Sequence, residues 1–227
     1  RTSRDGWSRP FPHAIAAKCR KARGTWRLMR KINEIFYSLQ GEGHHEGYPS
    51  VFVRFSGCNL NCSFCDTAHT EGIYMDDDAI IRAINLYSAD WVVLTGGEPA
   101  MWIDEDFIHL LKRATGKKIA IETNGTLPVP EGIDWVTVSP KSGFEGAGEA
   151  PVRVRHANEI KVVDLGQDLD PYFDLPCRGE DTIMYLQPCY VPDEEEFRQN
   201  RLNTVRRILA DPKWTLSVQL HRYLDIP

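Results

Sequence analysis

Three of the chain's six cysteines, Cys58, Cys62 and Cys65, fall within residues 57–67, spaced with three and then two residues between them. Thiolates are soft, charged ligands, so three on one short loop favour an iron-sulfur cluster or zinc over magnesium or calcium. An ordinary cluster takes four cysteines, and no further cysteine stands nearby in sequence to complete the set, which leaves one iron open. Two other readings compete. His69 follows Cys65 by four positions, and three cysteines with one histidine would close a zinc tetrahedron. A disulfide suits three thiols this close less well than a metal, and nothing in the chain resembles a secretory signal.

A chain of 227 residues with 42% hydrophobic content can bury a sizeable core and is expected to form a single domain. No apolar run is long enough to span a bilayer, so membrane insertion is not expected. A formal net charge of -5 gives no basic surface for nucleic acid. The charge is uneven: residues 1–28 carry eight Lys or Arg against the single acid Asp5. That basic segment has no amphipathic repeat and ends just before Met29. It is expected to be a non-native or misassigned extension, with residues 29–227 forming the domain and Cys19 without a role.

From Lys31 a β-branched and aromatic stretch predicts a strand that breaks at the glycines of Leu39-Gln40-Gly41-Glu42-Gly43. Residues 51–55 predict a buried strand with the cysteine loop at its carboxyl end, and Arg54 interrupts it where an anion could be bound. Further strands are expected at 91–95, 119–122, 135–138, 159–163, 182–186 and 216–220. Asp76 to Asp78 and Asp104 to Asp106 head amphipathic helices, the second closed by Gly116. A third helix is expected over 194–210, with Phe197, Leu202, Val205, Ile208 and Leu209 as its apolar stripe. At Gly96-Gly97-Glu98-Pro99 the glycines allow close approach of a ligand, and the Glu98 carboxylate could pair with an ammonium group. Residues 142–150 read as a Gly-rich surface loop. Cys177 and Cys189 are expected to be buried as small apolar groups. His44, His45 and His109 are expected to face solvent. Buried strands alternating with connections predict an α/β fold: an incomplete TIM-like barrel of about six mainly parallel strands with few helices, its functional loops at the strands' carboxyl ends.

The motifs Leu39-Gln40-Gly41-Glu42-Gly43, Arg54-Phe55-Ser56-Gly57-Cys58-Asn59-Leu60, Cys65-Asp66-Thr67, Thr95-Gly96-Gly97-Glu98-Pro99, Glu122-Thr123-Asn124-Gly125 and Gln219-Leu220-His221 occur in this order. Together they resemble the 7-carboxy-7-deazaguanine synthases, radical S-adenosylmethionine enzymes of the route to 7-deazapurines such as queuosine. The resemblance runs from about Lys31 to Pro227. It implies that Cys58, Cys62 and Cys65 hold a [4Fe-4S] cluster. It places S-adenosylmethionine against Phe64, Cys65, Asp66, Gly97, Ser139, Pro140, Lys141, Gln187, Pro188, Cys189 and Tyr190. The substrate, 6-carboxy-5,6,7,8-tetrahydropterin, would meet Leu39, Gln40, Gly41, Arg54, Thr95, His221 and the terminal carboxylate of Pro227, with Mg2+ at Thr67. The implied reaction is a radical ring contraction with loss of ammonia. A flavodoxin- or ferredoxin-type electron donor, a homodimer and a cytoplasmic location are implied as well. Arg222 stands where lysine is expected, and Cys189 lies in a segment that varies.

Two other functions fit parts of the sequence. An activase that installs a glycyl radical on a partner protein shares the three-cysteine loop and Gly-Gly-Glu-Pro. A zinc-stabilised binding module would use His69 instead.

Overall fold

The computed structural model describes residues 29–65, 67 and 69–227. The expected extension over residues 1–28, with Cys19, lies outside them, as does Asp66. The elements run β1 (Met29–Leu39), β2 (Pro49–Phe55), β3 (Ile73–Asp76), α1 (Asp77–Ile84), β4 (Trp91–Gly96), α2 (Glu105–Thr115), β5 (Lys118–Thr123), β6 (Trp135–Val138), β7 (Glu159–Asp164), β8 (Ile183–Pro188), α3 (Glu194–Ala210), β9 (Thr215–Leu216) and α4 (Leu220–Leu224). They form one open sheet in the order β3-β1-β2-β4-β5-β6-β7-β8-β9. β1 is antiparallel to β2 and β3, and from β2 through β9 each strand is parallel to its neighbour. The predicted α/β architecture of a partial barrel with few helices is the one observed.

The strand sequences explain why one face carries the core and the other the chemistry. Val51, Val53 and Phe55 of β2, Val92 and Leu94 of β4, Ile119 and Ile121 of β5, and Ile160 and Val162 of β7 pack beneath Ile80, Ile84, Phe107, Ile108 and Leu111 of α1 and α2. Successive side chains in a strand point to opposite faces, so Arg54, Thr95, Glu122 and Lys161 point the other way. A smaller apolar cluster of Phe52, Val93 and Ala120 lies on that second face.

The helix ends follow their capping chemistry. Asp76 and Asp104 accept from the backbone N–H groups of Ala79 and Phe107, and Gly116 closes α2 in the left-handed conformation at φ 68°. The expected apolar stripe of α3 is only partly used. Ile208 packs on the core, but Leu202, Val205 and Leu209 are exposed, and the buried residue of the helix is Thr204. Polar contacts dock α3: Thr204 Oγ1 donates to Asp164 Oδ2 at 2.7 Å, and Arg207 donates to Asp164 Oδ1 and to the Gln167 carbonyl. The expected last strand at 216–220 shrinks to the two residues of β9, and the chain turns into α4 at Leu220. β3 was not foreseen; it follows the cysteine loop and pairs with the start of β1.

Arg30 ties this end of the sheet together. Its side chain is buried, donates to Asp77 Oδ1 at 2.7 Å, to Asp104 Oδ2 at 3.4 Å and to the Trp102 carbonyl, and lies 4.0 Å over the Phe107 ring. Arg30 is buried while Asp77 and Asp104 keep 22% and 46% of their side chains exposed, so Arg30→Ala should lower stability mainly through lost packing and hydrogen bonds, by about 1–3 kcal/mol. Urea unfolding would show this as a lower midpoint at unchanged slope; an unchanged midpoint would rule the network out as a structural tie.

Candidate active site

The cysteine loop leaves β2 on a base of backbone contacts. Gly57, at φ 90°, donates its N–H to the His69 carbonyl, Gly97 N–H donates to Phe55 O, and Glu98 N–H donates to Gly57 O. The loops after β2 and β4 are therefore zipped together. A Cβ on Gly97 would sit 2.1 Å from Gly57 O, so only glycine permits this approach. The carboxyl end of β5 adds side chains: Asn124 Nδ2 donates to Asn59 Oδ1 at 3.0 Å and reaches Cys58 Sγ at 3.9 Å. Asn59 Nδ2 donates to Thr126 Oγ1 at 2.8 Å.

Residues 142–150 form the expected loop, largely exposed, but it is anchored by three buried side chains. Phe144, Ala147 and Ala150 are buried, Phe144 meets Phe64 edge-on at 5.2 Å, and Ser63 N–H donates to the Glu145 carbonyl. The segment is a clamp on the far side of the cysteine loop.

Cys58, Cys62 and Cys65 are free thiols, and all three line one cavity of about 500 Å³. Burial pushes the Cys58 and Cys62 thiols up, so free thiolates there are disfavoured and a metal must offset the cost of deprotonation. Three thiols on one cavity with no fourth cysteine beside them in sequence suit a cluster in which one iron takes no protein thiolate. His69 lines the same cavity, and its Nδ1 is buried without a hydrogen-bond partner.

The cavity gathers the predicted residues from far apart in the chain. Phe64 and Thr67 come from the cysteine loop, Gly97 from the end of β4, Ser139 and Lys141 from beyond β6, and Gln187, Pro188, Cys189 and Tyr190 from the end of β8. Leu39, Gln40, Gly41, Arg54, Thr95, His221 and Pro227 line the same cavity. Pro140 is buried and does not line the cavity, although both its neighbours do. Gly41 and His221 are packed together: Leu220 N–H donates to Gly41 O, and a Cβ on Gly41 would meet His221 Nδ1 at 2.3 Å. Pro227 is drawn back to the mouth, where Ser38 Oγ donates to its carbonyl at 2.7 Å. Arg222 lies 3.4 Å over the Tyr190 ring and donates from Nε to Gln219 Oε1.

Lys161 holds the floor. Its ammonium donates to Glu42 Oε2 and, at 2.8 Å, to Glu122 Oε2. Gln187 Nε2 and Gln219 Nε2 both donate to Glu42 Oε1, and Gln40 Nε2 donates to Glu122 Oε1. Two partly buried carboxylates, each with 18% of its side chain exposed, around one buried cation carry one negative charge too many. Burial pushes Glu122 up to about 7, while Glu42, for which burial acts upward, is pulled down to about 2 by Lys161 and its amide donors. Sequence reading missed Glu122 and Lys161, although a charged residue inside a buried strand is itself a signal.

Two expectations about polar residues change, those for Glu98 and His45. Glu98 does not face a ligand. It is fully buried and accepts from Ala100 N–H, Thr123 Oγ1 and Asn124 N–H, tying β4 to β5. His45 is not in open solvent: it packs against Trp91 at 4.3 Å and Trp135 at 4.6 Å, and burial helps to lower its pKa to about 4. His44 is exposed yet stacks on Trp135 at 4.7 Å. His109 is exposed, and Cys177 and Cys189 are buried, as expected.

Residues 52–161 match the Radical SAM superfamily. A 7-carboxy-7-deazaguanine synthase from Bacteroides thetaiotaomicron is 51% identical over 199 residues, covering 88% of this chain and 100% of the relative. The enzyme of that name from Burkholderia multivorans is 39% identical, covering 86% of this chain and 98% of its own length. The crystal structure of QueE from Escherichia coli superposes with a TM-score of 0.67 at 30% identity, covering 85% of this chain and 95% of that one. These relatives do not favour the activase or the zinc-stabilised module. With its three-thiol loop at the carboxyl end of a partial parallel barrel, the chain belongs to the 7-carboxy-7-deazaguanine synthase family of radical S-adenosylmethionine enzymes.

Proposed function

We propose that this chain converts 6-carboxy-5,6,7,8-tetrahydropterin to 7-carboxy-7-deazaguanine by radical ring contraction with loss of ammonia. The observation that carries the reading is that the three thiols and Arg54, Thr95 and Gln40 line one and the same cavity. Cys58, Cys62 and Cys65 would hold a [4Fe-4S] cluster, which together with S-adenosylmethionine would supply the hydrogen-abstracting radical.

The chain's own residues bind, orient and shield. Phe64, Gly97, Ser139, Lys141 and residues 187–190 flank the thiols and form the S-adenosylmethionine wall. Lys141 lies 5.9 Å over the Phe64 ring and is near Cys62, where its charge offsets that of the thiolates. Arg54 holds the substrate carboxylate, a group that a planar guanidinium can take with two hydrogen bonds. Leu39 to Gly41, Thr95, His221 and Pro227 fix the ring over the Lys161 floor, and holding the reacting carbon against the radical source is the main contribution of the protein. Thr67, on the cavity wall, would offer its hydroxyl to Mg2+, a cation that prefers oxygen ligands and would help to orient the substrate. The enzyme works in the cytoplasm as a homodimer reduced by a flavodoxin- or ferredoxin-type protein, and residues 1–28 take no part in turnover. Among the described residues no helix is long and apolar enough to cross a membrane.

Arg54→Lys should weaken substrate use by roughly ten- to a hundredfold, the equivalent of about 1.5 to 3 kcal/mol for a charge-assisted hydrogen bond, with iron content unchanged. Thr67→Ala should weaken the dependence of turnover on magnesium or shift its metal preference. Turnover against magnesium concentration, with iron measured in each variant, tests both. Wild-type turnover indifferent to magnesium, or loss of iron in Arg54→Lys, would contradict these assignments.

A further inference from the structure

Arg54 reaches the cavity in company. Its Nε donates to Glu34 Oε1 at 2.7 Å, and among the described residues this is the hydrogen bond its side chain makes. Both Nη nitrogens are left for a ligand.

The pairing depends on an irregularity in β1. Ile32 stands opposite Phe55 but Glu34 stands opposite Arg54, so Asn33 is an extra residue in the ladder. A bulge of this kind shifts which face the following side chains take. Ile32 and Ile35 both enter the helix-side core although they are three apart, a spacing that regular alternation forbids. Glu34 and Phe36 are thereby turned toward the cavity. Asn33 is pinned by its Nδ2, which donates to the Glu71 carbonyl at 3.1 Å. Phe36, stacked on Phe52 at 4.8 Å, supports the guanidinium from 5.4 Å.

Glu34 has two opposed effects on an incoming carboxylate. It subtracts from the positive charge that the anion meets, and it orders a long side chain in advance. The Glu34 side chain is 52% exposed, so its repulsion is screened by water and salt. The ordering is not screened, and a guanidinium fixed through Nε presents its two Nη nitrogens end-on to a carboxylate.

We infer that Glu34 is a positioning residue that presents Arg54 to the substrate carboxylate, an inference resting on the reading of Arg54 as the substrate's anchor. Anaerobic calorimetry on the reconstituted enzyme, titrated with 6-carboxy-5,6,7,8-tetrahydropterin, tests it. Glu34→Ala should bind about tenfold more weakly, and Glu34→Gln, whose amide oxygen still accepts from Nε, should regain most of that loss. In an Arg54→Ala background, Glu34→Ala should change nothing further. Unchanged or tighter binding by Glu34→Ala, with Arg54→Ala weakened, overturns the positioning role and leaves the anchor standing. An equal loss in both backgrounds overturns it by showing that Glu34 touches the substrate directly. Normal binding by Arg54→Ala overturns the anchor and the inference together.

Discussion

Lys161→Met should lose substrate binding and cost about 3 to 5 kcal/mol of stability, the usual result of leaving buried charge without its partner. Lys161 is buried between Glu42 and Glu122 and donates a hydrogen bond to each carboxylate. The loss should depend on pH, and the sign follows from the two carboxylates. Glu42 is held at about 2, below its ordinary 4.5, so its contribution is present above 4.5 and fades as pH falls toward 2. Glu122 is raised to about 7, so its contribution is complete below 4.5 and fades as pH rises through 7. Wild type should therefore gain stability from pH 2 to about 4.5, lose part of it between 4.5 and 7, and level off above 7. Without the Lys161 charge both carboxyls favour protonation, so Lys161→Met should be hurt most at alkaline pH and recover partly near pH 5. Urea unfolding at pH 5, 6 and 8 would show it. A variant with the wild-type pH profile would mean that the three side chains do not share charge as described.

Gly146→Ala should empty the cluster site while Gly143→Ala leaves it filled. Both glycines have positive φ, 79° and 83°, so an alanine at either carries a similar backbone strain of about 1–2 kcal/mol. The surroundings differ. A Cβ on Gly146 would fall 2.0 Å from Asn61 O, a backbone atom of the cysteine loop, whereas one on Gly143 meets nothing within 4 Å. Relieving the first contact means prising the 142–150 clamp off the loop that carries Cys62, and with it the Ser63 to Glu145 hydrogen bond. Iron and sulfide after anaerobic reconstitution give the comparison. Equal loading of the two variants would show that the clamp does not hold the cluster loop.

The sheet was legible because the apolar strands are short, β-branched and bounded by Gly-, Asn- or Pro-containing breaks. Much of the site was legible for a related reason: those breaks fall at the strands' carboxyl ends, where such folds gather their ligands. What escaped reading depends on facing and on distant contacts. Glu122 and Lys161 were passed over because their strands were read without assigning faces, although the parity of Ile119 and Ile121, or of Ile160 and Val162, already turns them away from the helices. Glu34 was hidden by the bulge at Asn33, which no local pattern announces. Glu98 was read as a ligand from its place beside two glycines, but burial and three hydrogen bonds give it to the scaffold. The apolar residues of α3 looked like a core stripe, and the contacts that dock it run instead through Asp164, forty residues earlier than Thr204.

The most direct measurement is product analysis on protein reconstituted anaerobically, with iron and sulfide determined first. Supplied with S-adenosylmethionine, magnesium, a reductant and 6-carboxy-5,6,7,8-tetrahydropterin, it should release 7-carboxy-7-deazaguanine and ammonia in equal amounts, detected by mass spectrometry. Cys58→Ala should release neither. Protein that carries zinc without iron, or that is fully loaded with cluster and cleaves S-adenosylmethionine yet leaves the tetrahydropterin unchanged, would contradict the account.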